Sequence, residues 1–282
     1  MDESGKDLIF ATGAPGSRWS GSLRCISRNI AVDMSDEEEQ ESFELEVYDE
    51  NGNIKSRAQH FGAYWGPYHK YGHKFDRIDT LSKDEILHEI LKPFKRKDGV
   101  KVIKSHWFSY HLDFLVETFP RAKIITFYLP DKICFEWWKA VGGFDIHYPI
   151  YTWYENEERI IDKIREENSH IVSFFARKKR FLERYFDIFE LFSDLDLPLE
   201  FKKIDLSKLK EFSSEKAELT VDDPRYYRIE CNKISKKLTT IYNPNVINDD
   251  MFIYDMLNKE VPKGLSNFDL HDYEKIKKVN AQ

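Results

Sequence analysis

Cysteine and long apolar runs are scarce in this sequence of 282 residues, and its 43 basic residues are outnumbered by 50 acidic ones. Its three cysteines have no paired spacing, which indicates neither a disulfide framework nor a zinc site and favours a reducing compartment. No apolar run approaches the roughly 20 residues that a membrane-spanning helix requires. The net charge of -7 argues against nucleic acid as the main partner. With a polar, acidic start that is unlike a signal peptide, the sequence predicts a soluble cytoplasmic protein with no membrane or nucleic-acid partner.

Aromatic residues are abundant, at 15% of the chain within 41% hydrophobic residues, which is enough for a core and for a site lined by rings. Since no long linker and no internal repeat is visible, we predict a single domain over residues 1–282. It carries an acidic and aromatic insertion at about 33–75. Within the insertion, the acidic run 33–46 is predicted to be a solvated helix or loop, and Asn51-Gly52 a hairpin turn.

Short apolar strands alternate with amphipathic helices along most of the chain. Ser82 and Glu85 have the spacing of a capping box at the start of one helix. The predicted strands cover residues 7–12, 100–105 and 123–128. The predicted helices cover residues 20–30, 82–93, 110–119, 131–141 and 155–186, the last as two consecutive helices. This alternation predicts an α/β fold with a central, mainly parallel sheet flanked by helices.

The segment ATGAPGSRWSG, residues 11–21, lies between the first predicted strand and the first predicted helix. A helix N-terminus with free backbone N–H groups attracts an anion. The turn adds a glycine for close approach, hydroxyl donors and a cation, so the residues expected to bind a phosphate-bearing cofactor are Gly16, Ser17, Arg18, Trp19 and Ser20. It is not a Walker A loop, because Ser22 stands where that motif has lysine. Spacing alone leaves a phosphate site and an ordinary strand-to-helix turn equally open.

Three segments resemble motifs of the sulfotransferase family. TGAPGSRWS is similar to the family's 5′-phosphosulfate loop, T-G-x-P-[RK]-S-G-T-[ST], at Thr12, Gly13, Pro15, Ser17 and Ser20. VIKSHW resembles a strand that ends in K-[TS]-H, and FPRAKIITFYLPDK resembles the F-P-x-A-K-I-I segment. The three occur in the family's order over roughly residues 7–140. The resemblance implies a three-layer, P-loop-like α/β fold and 3′-phosphoadenylyl sulfate as the sulfuryl donor, with no metal.

The resemblance also assigns roles to three residues. His106 would be the general base that takes the proton of an acceptor hydroxyl, a task that suits histidine because it titrates near neutral pH. Lys104 would bind the donor or the leaving oxygen. Arg18 would hold the sulfuryl group through its planar fork of donors. The alternatives are a surface histidine, a solvated lysine and an arginine paired with the acidic run.

Rings in the glycine-rich part of the insertion and next to His106 suggest an acceptor pocket. Tyrosine and tryptophan stack on phenols and on the apolar faces of sugars, while their polar tips donate hydrogen bonds. The residues predicted to line the pocket are Tyr64, Trp65, Tyr68 and Trp107. A loop that packs these rings as a satellite core is equally open, whereas Trp137 and Trp138 are predicted to be core. The loop also holds three histidines whose spacing fits no metal-ligand signature, His60, His69 and His73.

The chain departs from the family at the positions that bind the donor's 3′-phosphate. The family's arginine position falls on Tyr128 or Leu129, and its serine position on Glu136 or Trp137. Its later R-x-G-x-x-G loop is absent. These departures leave open a second class of function, a non-catalytic nucleotide- or anion-binding module on the same fold. A third class, a P-loop phosphotransferase, is disfavoured by the missing Walker lysine and by the lack of a clear magnesium-binding aspartate after a strand.

Overall fold

The computed structural model of the protein describes residues 5–17, 19–36, 45–48, 54–58, 62–66, 69–140, 143, 152–178, 183–184, 188–202 and 238–242. In this part of the chain the strands are β1 (Leu8–Gly13), β2 (Leu45–Tyr48), β3 (Ile54–Ala58), β4 (Lys101–Lys104), β5 (Lys123–Tyr128), β6 (Glu183–Arg184) and β7 (Leu238–Tyr242). The α-helices are α1 (Trp19–Ser27), α2 (Lys83–Leu91), α3 (Leu112–Thr118), α4 (Asp131–Ala140), α5 (Glu157–Arg177) and α6 (Ile188–Asp194). None of these helices is long and apolar enough to cross a membrane.

A five-stranded sheet forms the centre of the fold, in the order β4-β1-β5-β7-β6. β1 pairs in parallel with both β4 and β5, and β7 is antiparallel to β5 and β6. β2 and β3 form a separate antiparallel hairpin. The three parallel strands, alternating with helices along the chain, make this an α/β fold. Ala11 of β1 lies beside Lys104 of β4, so these two strands end at the same edge of the sheet.

Alternate side chains of β1 enter two separate apolar clusters. Leu8 and Phe10 pack with residues of α2, α3 and α5, whereas Ile9 and Ala11 pack with residues of α1 and α6. All four are fully buried, as the continuous apolar sequence of a parallel strand predicts. Burial of a large apolar side chain stabilises the fold by roughly 1.5–3 kcal/mol, and the two clusters therefore hold the sheet edge at which β1 and β4 end.

Two local features predicted from the sequence, a capping box and a hairpin, fall on described elements. The capping box is present, because the hydroxyl of Ser82 accepts the Glu85 N–H at 3.3 Å and a carboxylate oxygen of Glu85 accepts the Ser82 N–H at 2.8 Å. Hydrogen bonds from Ser82 lower the pKa of Glu85. The strands β2 and β3 pair as the predicted hairpin, while its turn, Asn51-Gly52, lies outside the described residues.

The charged segment after residue 155 does not form two consecutive helices. α5 is one helix of 21 residues that ends at Arg177, and the helix predicted to continue to residue 186 is wrong. Glu183 and Arg184 instead pair with β7. Pairing with a strand that is distant in sequence has overridden a helical pattern here, as tertiary context commonly does.

The acidic run 33–46 is not solvated throughout. Asp33 and Asp36 are only 3% and 4% exposed. Asp33 forms a buried ion pair with Lys101 at 3.1 Å, since a carboxylate in this environment requires a partner. The prediction of a solvated run is therefore wrong for these two residues, and residues 37–44 lie outside the described part of the chain.

Candidate functional site

The predicted phosphate turn follows β1 and leads into α1. The N–H of Ser17 donates to the carbonyl of Ala14 at 3.0 Å and closes the turn. Gly16 has a φ of 78°, which strains any residue with a Cβ. A Cβ at Gly16 would also overlap the carbonyl oxygen of Cys134 in α4. Gly16 is therefore needed for close packing of the turn against α4, which is a different use from the approach to an anion that the sequence suggested.

Three hydroxyl groups around this turn are buried with no hydrogen-bond partner among the described residues. They belong to Thr12, Ser17 and Ser22, whose exposed fractions are 0%, 1% and 2%. A buried polar group without a partner costs roughly 1–3 kcal/mol. Thr12 lies in β1, Ser17 in the turn and Ser22 in the first part of α1, a nine-residue helix.

The other residues expected in the cofactor site belong to the start of α1. Trp19 is buried and Ser20 is half-buried in the first helical turn. Arg18, the predicted cation, lies outside the described residues. Within the described part, the turn offers an anion the backbone N–H groups at the start of α1, where the helix dipole is positive, together with the hydroxyls.

His106 begins a short 3₁₀ turn, His106–Tyr110, directly after β4 and Ser105. The hydroxyl of Ser105 caps this turn by accepting the N–H of Trp107 at 3.1 Å. His106 is 7% exposed, and its ring centroid lies 4.9 Å from that of Trp19, the first residue of α1. The structure thus brings the predicted base next to the predicted phosphate turn.

Glu167 of α5 is a partner of His106 that the sequence analysis missed. The Nδ1 atom of His106 lies 2.9 Å from one carboxylate oxygen of Glu167, which is fully buried. The other oxygen lies 3.1 Å from the ammonium nitrogen of Lys163, one helical turn earlier. The available signal was the i,i+4 spacing of this pair on the buried stripe of α5, which also carries Ile160, Ile164 and Ile171. No local pattern connects the pair to His106, which is 61 residues from Glu167 in sequence.

Three rings and a phenol hydroxyl hold the ammonium group of Lys163. Its nitrogen lies 4.6 Å from the ring centroids of both Tyr110 and Trp153 and 5.3 Å from that of Trp107, within the range of cation–π attraction. It also donates to the hydroxyl of Tyr110 at 2.5 Å, and that hydroxyl donates to Glu166 at 2.8 Å. Burial, and then the neighbouring carboxylates, raise the pKa of Tyr110 well above its ordinary value, so this hydroxyl stays protonated.

Lys104 is buried at the end of β4, beside the start of the predicted insertion. Burial lowers the pKa of Lys104 to about 8, and the charge of Asp36 opposes that shift. Burial likewise raises the pKa of Asp36, against the effect of Lys104. Asp36 also accepts the N–H of Ala63 at 2.8 Å. This carboxylate therefore connects two parts of the insertion and supplies Lys104 with a counter-charge, a role that the sequence analysis gave to no residue.

Tyr64 and Trp107, two of the residues predicted to line an acceptor pocket, lie close to His106 in the fold or in the chain. The hydroxyl of Tyr64 accepts the N–H of His106 at 3.1 Å, and its half-buried ring packs edge-on to that of Trp19 at 6.2 Å. Trp107 follows His106 in the chain and is also half-buried. The ring of Tyr64 lies 6.1 Å from the imidazole of His106, whereas the ring of Trp107 packs against those of Tyr110 and Trp153.

Trp65 does not belong to an accessible lining. It is fully buried and stacks on Phe94 with ring centroids 6.0 Å apart. Its indole N–H donates to the carbonyl of Glu89 at 3.2 Å, so both its apolar and its polar parts have partners inside the fold. The alternative interpretation, a ring packed as core, is correct for Trp65. Tyr68 lies outside the described residues.

The histidines of the loop do not form a metal site within the described residues, where no group of three or more His, Cys, Asp or Glu side chains is placed to hold an ion. His69 instead packs against Tyr64, with ring centroids 4.6 Å apart. Burial, and then the nearby His106, lower the pKa of His69 to about 4, so this imidazole is neutral at pH 7. His60 lies outside the described part of the chain.

The positions that depart from the family offer no positive charge to a 3′-phosphate. Tyr128 is buried, at 8% exposed. Glu136 is exposed, and its Oε1 lies 3.8 Å from Nζ of Lys132 in the same helix.

Trp138, as predicted, is core, and Trp137 is half-buried. Trp138 packs in an apolar cluster with Ala14, Cys134, Ile160 and Ile164.

Comparisons with family models, with curated proteins and with solved structures gave no match to this chain. Any assignment of function therefore depends on the geometry of the site itself. In the described part of the chain, that geometry combines a hydrogen-bonded histidine, a buried lysine and a turn with buried hydroxyls at one edge of the sheet.

Proposed function

We propose that the protein is a cytoplasmic sulfotransferase that moves a sulfuryl group from 3′-phosphoadenylyl sulfate to a hydroxyl acceptor. The observation that carries the proposal is that His106, held by Glu167, lies against the first residue of α1, whose preceding turn has buried hydroxyls without partners among the described residues. Transfer to a hydroxyl requires a proton acceptor next to an anion site. The apolar clusters that receive alternate residues of β1 agree with a three-layer, P-loop-like arrangement.

The proposed reaction is an in-line displacement at sulfur. Nε2 of His106 takes the proton of the acceptor hydroxyl as the acceptor oxygen forms its bond to sulfur. The bond between sulfur and the donor's phosphate oxygen breaks, and its electron pair stays on that oxygen. Backbone N–H groups at the start of α1 and the hydroxyls of Ser17 and Ser20 stabilise the developing charge. Arg18 is the proposed cation for the sulfuryl oxygens.

Lys104 is proposed to neutralise the leaving oxygen. It ends the strand beside β1, where Ala11 is its register partner. Because burial lowers its pKa to about 8, its charged form is costly in the free protein. An anion bound beside it would favour that charged form, so the donor and the ammonium group stabilise each other.

Tyr64 and Trp107 are proposed to bind the acceptor, a phenol, a sugar or another small hydroxyl compound. Both rings are half-buried; Tyr64 accepts a hydrogen bond from the backbone of His106, and Trp107 is the next residue in the chain. Aromatic rings of this kind stack on planar or apolar faces and orient a hydroxyl group.

A non-catalytic nucleotide- or anion-binding module is the second proposal, because one observation favours it. Tyr128 and Glu136 stand where phosphate ligands belong, and neither supplies a cation. A protein with this site could bind a 5′-phosphate or a sulfate at the turn after β1 without carrying out transfer. The two proposals share the turn and differ in whether His106 acts on an acceptor.

Two measurements on the full chain test these proposals. A thermal-shift series with 3′-phosphoadenosine 5′-phosphate, ATP, NAD and inorganic sulfate identifies the ligand, because a bound ligand stabilises the fold by mass action. Transfer of labelled sulfate from 3′-phosphoadenylyl sulfate to a panel of phenols and sugars then tests catalysis. His106→Ala should lower turnover by roughly 10²–10⁴ with nucleotide binding retained.

His111→Ala is the control, because His111 contacts the carbonyl of Asp76 at 3.0 Å instead of the site. Binding of the nucleotide without transfer to any acceptor would favour the module. Absence of both binding and transfer would reject both proposals.

A further inference from the structure

We propose that Glu167 is the positioning residue of His106 and that Lys163 in turn positions Glu167. The contacts stand independently of any reaction, whereas their consequence for catalysis rests on the proposed function. The three side chains come from the 3₁₀ turn after β4 and from α5, and they form one buried chain of polar contacts.

A fully buried carboxylate must find its partners inside the protein. One oxygen of Glu167 is hydrogen-bonded to Nδ1 of His106 at 2.9 Å, and the other lies 3.1 Å from Nζ of Lys163 as an ion pair that does not have hydrogen-bond geometry. All three residues are at least nine-tenths buried. An unpaired charge in this environment would be strongly destabilising, so these two contacts fix the place and the angle of the carboxylate.

The proton of the His106 ring is placed by this contact. The carboxylate of Glu167 faces the ammonium group of Lys163, and a carboxylate in such an ion pair only accepts hydrogen bonds. Nδ1 of His106 must therefore carry the proton, which leaves the lone pair of Nε2 free to accept a proton from a hydroxyl. Once Nε2 has accepted it, the imidazolium lies beside a negative charge that stabilises it.

Three aromatic rings form an enclosure around the ammonium group of Lys163, and one of them is Trp107, the residue after His106. Its ammonium nitrogen lies near three rings, at 4.6, 4.6 and 5.3 Å from the centroids of Tyr110, Trp153 and Trp107. The hydroxyl of Tyr110 accepts a further hydrogen bond at 2.5 Å. Because Trp107 follows His106 directly, one 3₁₀ turn carries both the base and part of the enclosure that fixes its partner.

The test is Glu167→Gln, which keeps the volume of the side chain and removes its charge. Lys163 only donates hydrogen bonds, so it should take the amide oxygen of the glutamine and leave the NH₂ group facing His106. Nδ1 must then accept, and the ring proton should move to Nε2. Glu158→Gln is the matched control, because Glu158 is an exposed glutamate of the same helix.

The tautomer is read from ¹H–¹⁵N spectra of the histidine rings in the free protein, with His106→Ala identifying the signals. We expect the Nδ1–H form in the wild type and in Glu158→Gln, and the Nε2–H form in Glu167→Gln. If Glu167→Gln does not fold, the double variant K163M/E167M removes both charges together and should lose the preference for Nδ1–H. An unchanged Nδ1–H form in the folded variant would overturn the proposal.

A kinetic readout separates this inference from the proposed function. Glu167→Gln should lower kcat by about 10- to 100-fold, the usual effect of removing a partner of a functional histidine, with KM and nucleotide affinity nearly unchanged. A wild type that transfers no sulfuryl group, together with a moved ring proton, would reject the proposed function and support the positioning contact. An active wild type whose Glu167→Gln variant keeps its kcat would reject the positioning role alone.

Discussion

The rings of Trp19 and His106 lie against each other, with centroids 4.9 Å apart and planes inclined by 56°. They meet because β1 and β4 are parallel neighbours, and the N–H of Ser105 donates to the carbonyl of Ala11 at 3.1 Å. The carboxyl ends of both strands therefore lie at the same edge of the sheet, and the turns that follow them carry Ser17 and His106. In open α/β sheets this edge is where ligands bind.

Removal of the Ser17 hydroxyl should lower nucleotide affinity without lowering the free energy of unfolding of the free protein. The hydroxyl is buried and has no hydrogen-bond partner among the described residues, so Ser17→Ala removes a cost and no contact in the free state. A lost hydrogen bond to the bound anion should lower affinity by about 5- to 10-fold. Calorimetric titration with 3′-phosphoadenosine 5′-phosphate and urea unfolding of the free protein measure the two effects.

Ser27→Ala is the matched control for that prediction, because the hydroxyl of Ser27 donates to the carbonyl of Arg24 at 2.7 Å within the same helix. Its loss should cost about 0.5–1.5 kcal/mol of stability and leave nucleotide affinity unchanged. Equal affinities of wild type and Ser17→Ala would mean that the turn after β1 is only a turn.

The parts of the fold that the sequence predicted are those with local signals. β1 and β5 are short and mostly apolar, and the Ser82–Glu85 capping box needs only four residues to be recognised. The end of α5 could not be predicted in the same way. Its charged pattern continues past Arg177, and the deciding interaction is a pairing of Glu183 and Arg184 with β7, more than 50 residues later.

The candidate site was predicted from its motifs, while the groups that support it were not. His106 and Lys104 stand in a recognisable segment, but their buried partners Glu167 and Asp36 lie in helix and loop sequences that look solvated. A charged residue gives the same local pattern whether it faces water or a partner brought to it by the fold. Trp65 shows the converse, since an aromatic ring in a glycine-rich stretch turned out to be core.

Gly16→Ala should destabilise the protein strongly. The φ of 78° at Gly16 disfavours any Cβ, and the added atom would overlap the carbonyl oxygen of Cys134. Backbone strain of this kind costs about 1–3 kcal/mol, and the overlap adds to it.

Gly21→Ala should have the opposite effect. Because Gly21 is inside α1, alanine at this position should raise the free energy of unfolding by about 0.5–1 kcal/mol. Urea unfolding of both variants checks the contrast, and similar stabilities would contradict it.

The 3′-phosphate of the donor should contribute little to affinity. In the proposed alignment with the sulfotransferase motifs, Tyr128 and Glu136 stand at the positions of the 3′-phosphate ligands, and the loss of a charged contact removes a factor of about 10–200 in affinity. Titration of adenosine 5′-phosphate against 3′-phosphoadenosine 5′-phosphate should therefore show a preference below about tenfold. Arg177 and Lys178 are two cations that could bind this phosphate instead, but both already form ion pairs with Asp113.

A preference above about 100-fold would show instead that other cations have rebuilt the site. Lys132→Ala would then identify one contributor, since Lys132 is exposed in the helix that carries Glu136.

The stability of the free protein should rise between about pH 8 and 10 through Lys104. Its pKa is lowered from 10.5 to about 8 by burial, so in this window the unfolded chain binds a proton that the folded chain has already lost. The free energy of unfolding increases with pH wherever the unfolded state binds more protons. Lys104 therefore destabilises the fold below pH 8, and this cost is relieved as pH rises towards 10.5.

Lys104→Met should abolish this part of the pH dependence. Between about pH 7.5 and 9.5, unfolding free energies should rise by roughly 1–2 kcal/mol more in the wild type than in the variant. Nucleotide affinity should change in the opposite direction, because an anion at the β1 turn loses its cationic neighbour as Lys104 deprotonates. Lys132→Met, which removes an exposed ammonium group, controls for general charge effects. Parallel pH profiles of wild type and Lys104→Met would mean that Lys104 keeps its charge throughout this range, and that its contact with Asp36 outweighs burial.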